Sequence, residues 1–85
     1  MKINMYSVYD DKAKVYSQPF TAINDEVAQR IMKNCVDNPE HNYALNPEDY
    51  KLFKISSFDD SNAVIDPDKI PLLDLITLKR TEPEQ

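Results

Sequence analysis

Aromatic side chains interleaved with lysines are the arrangement in this chain with the most chemistry to offer. Tyr6, Tyr9, Tyr16 and Phe20 fall close together near the N-terminal end, beside Lys2, Lys12 and Lys14. Exposed rings on a sheet can stack unpaired bases while lysines at the margin follow the phosphates. The same residue types favour strands for packing alone, so core or sheet packing competes with a binding platform as the reading. On the platform reading, Tyr6, Tyr16 and Phe20 are the candidates for stacking. Lys12, Lys14 and Lys54 are the candidates for phosphate contact.

The other reactive residue types stand alone. His41 has no activated hydroxyl or thiol in a motif with an orienting acid, as a triad requires. Cys35 is the only cysteine, so it has no disulfide partner within the chain, and one cysteine with one histidine does not make a zinc site. It reads as a small buried apolar residue in a reducing compartment. Asp10-Asp11, Asp59-Asp60, Asp66 and Asp68 lack the alternating ligands, the glycine and the closing glutamate of a calcium loop. They read as turn-forming and solvated residues. Glycine is absent altogether, which excludes a glycine-rich phosphate cradle. The chain is therefore expected to be no enzyme and to carry no cofactor and no metal.

Charge qualifies the nucleic-acid reading. The net charge is −5, divided as +1 over residues 1–33 and −6 over residues 34–85. The overall field opposes a polyanion, while a local basic face in the first half is compatible with one. At 85 residues the chain is one domain of marginal stability, for which dimerisation is a natural supplement. Residues 1–6 lack the apolar run of a signal peptide, and no stretch approaches the ~20 apolar residues of a membrane span. The expected location is the cytoplasm, with no membrane partner.

The elements that would position these residues follow from pattern. Residues 2–9 and 14–20 read as two strands of an antiparallel hairpin, joined by a turn longer than two residues. Asn24 is an N-cap, with Asp25 and Glu26 suited to the positive end of the helix dipole. Ile23, just outside the cap, can staple onto Ala28. Val27, Ala28, Ile31, Met32, Cys35 and Val36 form one apolar stripe, with Ile31 expected at the centre of the core. Asn38-Pro39 ends the helix. Tyr43 and Leu45 are expected to anchor a polar connection, and Pro47 to open a single helical turn.

Residues 50–58 read as a third strand, with Phe53 and Ile55 on one face and Leu52 and Phe58 on the other. A short fourth strand begins at Ala63-Val64-Ile65, and Pro67 and Pro71 are expected to prevent a long regular element. The fold class is α+β: a small antiparallel sheet in β-β-α-β-β order, one amphipathic helix on one face, and an apolar C-terminal segment. The single domain spans 1–78, and 79–85 is a polar tail. Six large aliphatic residues crowd positions 70–78. Leu72, Leu73, Leu75 and Ile76 are candidates for a dimer or partner interface, the competing reading being that the segment folds back over its own sheet.

Three stretches in order resemble a known family. They are Tyr6-Ser7-Val8-Tyr9-Asp10, then Pro19-Phe20 leading into Asn24-Asp25-Glu26-Val27-Ala28, and Asn46-Pro47-Glu48-Asp49-Tyr50-Lys51-Leu52-Phe53 ending in Ser57-Phe58-Asp59-Asp60. Over about residues 5–62 they resemble the small nonstructural protein of gokushovirus-type microviruses, which are single-stranded DNA phages. The resemblance implies a nonstructural role in the host cytoplasm, in binding single-stranded DNA or in genome synthesis, and carries no ligand residues with it. An acidic protein-interaction module, acting on a host factor or on the phage replication protein, is the alternative. The family places glycines around the Phe-Asp pair, where this chain has Ser56-Ser57 and Ser61-Asn62.

Overall fold

The computed structural model describes residues 1–79. Lys2–Asp10 form β1, Val15–Tyr16 form β2 and Phe20–Ala22 form β3. Asp25–Asp37 form α1 and Asn42–Leu45 a one-turn α2, followed by a 3-10 turn at Pro47–Asp49. Tyr50–Asp59 form β4, Val64–Asp74 form β5 and Ile76–Lys79 a short α3. All pairings are antiparallel, in the order β2-β1-β4-β5, with β3 also bonded to β1. This is the α+β class expected: one main helix against one sheet. Of the tail assigned to 79–85, all but Lys79 lies outside the described residues.

Two Asp-Asp pairs build the same turn. Asp10 closes β1, and its carboxylate accepts from the amides of Lys12 (2.9 Å) and Ala13 (3.1 Å). Its carbonyl accepts from Lys14 N at 2.7 Å. At the far end of the sheet, the Asp59 carboxylate accepts from the Ser61 amide (3.0 Å) and hydroxyl (2.7 Å), and its carbonyl from Ala63 N at 2.8 Å. These bonds, the hydroxyl's first, hold the Asp59 carboxyl below the ordinary carboxylate range. Each turn ends on a left-handed residue, Lys14 and Ala63, both at φ 62°. A chain without glycine accepts that strain, of order 1–2 kcal/mol, in a side chain bearing a Cβ. The β4–β5 hairpin thus forms without a glycine.

The return of the first hairpin is split. β2 pairs with Tyr9 and Asp10, β3 with Asn4 to Tyr6, and Ser17–Pro19 separate them. Ser17 bridges the gap: its amide donates to Val8 O (2.8 Å), its hydroxyl accepts from Val8 N (3.0 Å), and Ser7 Oγ donates to its carbonyl (2.8 Å).

The α1 boundaries fall where the caps place them. Asn24 accepts from Val27 N at 2.8 Å, and Asn38 is extended ahead of Pro39. The buried face, however, is the Ala28–Met32–Val36 edge of the stripe, whereas Ile31 is 37% exposed and does not centre the core. The stripe is wider than the contact the sheet offers, and its Ile31 margin overhangs. Ile23 is also exposed, as is Leu45; the 38–49 connection is anchored by Ala44 and Pro47, with Tyr43 half-buried beside the core.

The core joins Tyr6 and Val8 of β1, Ala22, Leu52 of β4, the three α1 residues and Leu75. Leu75 is fully buried, which withdraws it from the expected interface. Leu72, Leu73 and Leu78 pack against the same core, and only Ile70 and Ile76 of the 70–78 segment's large aliphatics are exposed. The segment folds back on its own domain.

β5 runs eleven residues through both prolines. Among the described residues it is an edge strand, bonded to β4 alone, and the register shifts leave Leu72 unpaired beside Pro71 and Asp68 and Lys69 unpaired beyond Pro67. A missing amide is tolerated at such an edge. β4 carries its own irregularity. Against β1 the register passes from Tyr6↔Lys54 to Met5↔Ser56, leaving Ile55 as an extra residue. Beyond it the alternation inverts, so Phe58, opposite Ile3, shares the face of Phe53, opposite Ser7. The expected grouping of Phe58 with Leu52 is therefore reversed.

Candidate nucleic-acid interface

Strand alternation divides the aromatics of the first hairpin between two faces. Tyr6 and Val8 point to α1, so Tyr9, three residues from Tyr6, points to the open face. There it meets Tyr16, its register partner, at 4.7 Å between ring centroids. Phe53 closes the group from β4, edge-on to Tyr16 at 5.5 Å and to Tyr9 at 6.5 Å. Lys69 of β5 places its Nζ over the Tyr16 ring, 5.5 Å from the centroid. Tyr16 is 38% exposed, and Tyr9 and Phe53 are half-buried, each supporting the next. Among the described residues, no element covers this side of the sheet.

Of the residues anticipated for nucleic-acid contact, the structure brings Tyr16 here, parts it from Tyr6, Phe20 and Lys54, and sets Lys12 and Lys14 on the adjoining turn. Tyr6 is completely buried, which removes it as a stacking surface. Its hydroxyl donates to Asp25 Oδ1 at 2.6 Å and accepts from Asn4 Nδ2 at 3.0 Å, tying β1 to the first turn of α1. Burial, followed by the bond to Asp25, pushes its pKa up to about 12. Phe20 stacks on Tyr6 at 5.6 Å and packs against the core, on the helix side. Lys54, paired with Tyr6, lies on that same side. Lys12 and Lys14 are exposed on the turn leading into β2, with Lys14 Nζ 3.2 Å from Asp11. Leu72 and Leu73 are half-buried, and Ile76 is 41% exposed.

Tyr9, Phe53 and Lys69 were not among the candidates. The odd spacing of Tyr6 and Tyr9 already separates their faces, so that part was readable. Phe53 and Lys69 depend on a register and an edge strand that local pattern does not specify.

A cleft of about 360 Å³ opens beside the aromatic group, walled by Tyr9, Tyr16, Tyr50 and Phe53. Its rim carries Asp11, Glu48, Asp49 and Asp74 against Lys51. Burial, then the nearby Asp10 and Asp49, raise the Tyr50 pKa. Behind it Tyr50 meets Tyr43 at 4.6 Å, and burial raises the Tyr43 pKa likewise. Cys35 is half-buried against the core with its thiol pKa raised by burial, the environment of a structural rather than a reactive thiol. Among the described residues, no three His, Cys, Asp or Glu side chains gather to hold a metal ion.

The family described as Phage ORF5 protein matches residues 3–80, nearly the whole chain. The chain belongs to that family. It is therefore a phage protein, and the match runs through the elements described above from Ile3 in β1 to the end of α3. No curated protein and no solved structure matches it. Among the described residues of this family member, no helix is long and apolar enough to cross a membrane.

Proposed function

We propose that this phage protein is a non-enzymatic accessory that binds single-stranded DNA on the open face of its sheet, in the manner of a gokushovirus-type nonstructural protein working in the host cytoplasm. The observation that carries the reading is the Tyr9–Tyr16–Phe53 group on an uncovered sheet face with Lys69 beside it. Stacking of unpaired bases on such rings contributes roughly 1–3 kcal/mol per base without regard to sequence. Lys69, together with the exposed Lys12 and Lys14 on the adjoining turn, supplies the cations for the phosphates. The net charge of −5 keeps this affinity modest, and the lysine–phosphate contacts make it fall as salt rises. A base-stacking role needs no catalytic group, in keeping with a sheet that presents rings and lysines.

Fluorescence anisotropy of a labelled thymine oligonucleotide at low and moderate salt tests it. The wild type binds at low salt. Tyr16→Ala weakens binding by about 1–3 kcal/mol, and Lys69→Gln weakens it while flattening the salt dependence. Absence of binding at low salt, where phosphate attraction is strongest, would sink the reading.

A further inference from the structure

We propose that the cleft beside the aromatic group is a docking site for a cationic side chain, an arginine on an extended basic segment of a protein partner. This does not rest on the strand-binding reading. The starting point is charge: four carboxylates and one lysine line the cleft. Lys14 engages Asp11 at 3.2 Å, and Lys51 lies 3.7 Å from Asp74. Glu48 and Asp49, side by side on the 3-10 turn, belong to no ion pair among the described residues. A phosphate brought here meets repulsion, and a cation meets two uncompensated carboxylates.

The walls favour the same occupant. Tyr9, Tyr16 and Phe53 offer ring faces and edges, and Tyr16 already accepts the chain's own Lys69 ammonium at 5.5 Å. A cation held over a ring beside carboxylates is stabilised by both. The carboxylates are spread around the rim and do not converge on a point, as the lack of a metal-holding cluster among the described residues also indicates. A planar guanidinium, which stacks on rings and bonds carboxylates through several N–H groups, matches a spread rim better than a compact ammonium does. The cleft opens on the bare side of the sheet, where an extended segment can approach. Because the site shares Tyr16 and Phe53 with the stacking surface, peptide and DNA strand exclude one another.

Titration calorimetry at low salt with a nine-residue Gly-Ser peptide bearing a central Arg-Arg pair tests the assignment. The full chain binds this peptide more tightly than its lysine counterpart, and does not bind the uncharged citrulline counterpart. The surface variant Glu48→Gln/Asp49→Asn loses about fivefold or more in affinity. The charge-matched variant Glu26→Gln/Asp37→Asn, altered on α1 away from the cleft, stays within about twofold. Tyr16→Leu weakens the arginine peptide without changing net charge. Equal binding of the citrulline peptide, equal loss in the α1 variant, or no binding of the arginine peptide would each overturn the proposal. So would a Glu48→Gln/Asp49→Asn protein that keeps its peptide affinity and loses its affinity for the oligonucleotide.

Discussion

Tyr6 holds α1 to the sheet through one short bond from a buried hydroxyl to a carboxylate at the start of the helix. Hydrogen bonds to charged groups contribute about 1.5–3 kcal/mol. Tyr6→Phe keeps the ring's packing on Phe20 and removes that bond, so urea unfolding at neutral pH should show a loss of about this size. The linkage has a definite sign. The hydroxyl's folded-state pKa, about 12, lies above its ordinary value of 10.0, so the stabilisation is complete below pH 10. It is lost as pH rises toward 12. The wild type should lose about 2–3 kcal/mol from this group over that window. Tyr6→Phe should decline less, its residual slope coming from Tyr43 and Tyr50, which are raised in the same direction. Parallel pH profiles for the two proteins would show that the hydroxyl is not held as described. The sequence left Tyr6 open between core packing and an exposed stacking ring because residue type alone does not distinguish a strand's two faces; its partner Asp25 was recognised only as a helix-dipole residue.

At the scale of elements, what could be read was what is locally encoded. Asn24 and Asn38-Pro39 set the ends of α1 through bonds and dihedral preferences that lie within a few residues, and the Asp-led turns work the same way. Three features are not local. The extra residue Ile55 inverts the faces of β4, the edge position lets β5 pass through Pro67 and Pro71, and the sheet selects which half of the α1 stripe it buries. Each is decided by a neighbouring element. The helix gives a direct check. Met32, 4% exposed, should cost about 2–5 kcal/mol on replacement by Ala, whereas Ile31→Ala should cost roughly 1 kcal/mol or less. Denaturant midpoints of the two variants compare them. Equal losses would mean that the stripe is buried about Ile31 after all. The apolar 70–78 run is likewise resolved by a partner element: Leu75 enters the core between sheet and helix, so the chain itself covers most of what a second copy would have covered.

At the scale of the molecule, one main helix covers one side of the sheet, and among the described residues no element covers the other. Length and composition announced a single two-layer domain, and the charge imbalance announced an acidic second half. Neither specified that rings from β1, β2 and β4 would meet on the bare side, or that acidic groups would gather in one cleft beside them. That juxtaposition is a product of register. It places Lys69 and a rim of carboxylates about one shared group of rings, so that groups of opposite charge preference compete for it. The most direct test is a map of backbone amide shifts in isotope-labelled protein, titrated with a thymine oligonucleotide at low salt. The account predicts that the amides of Tyr9, Tyr16, Phe53 and Lys69 move together with strand concentration while those of α1 stay in place. Shifts centred on α1, or none at all, would contradict it.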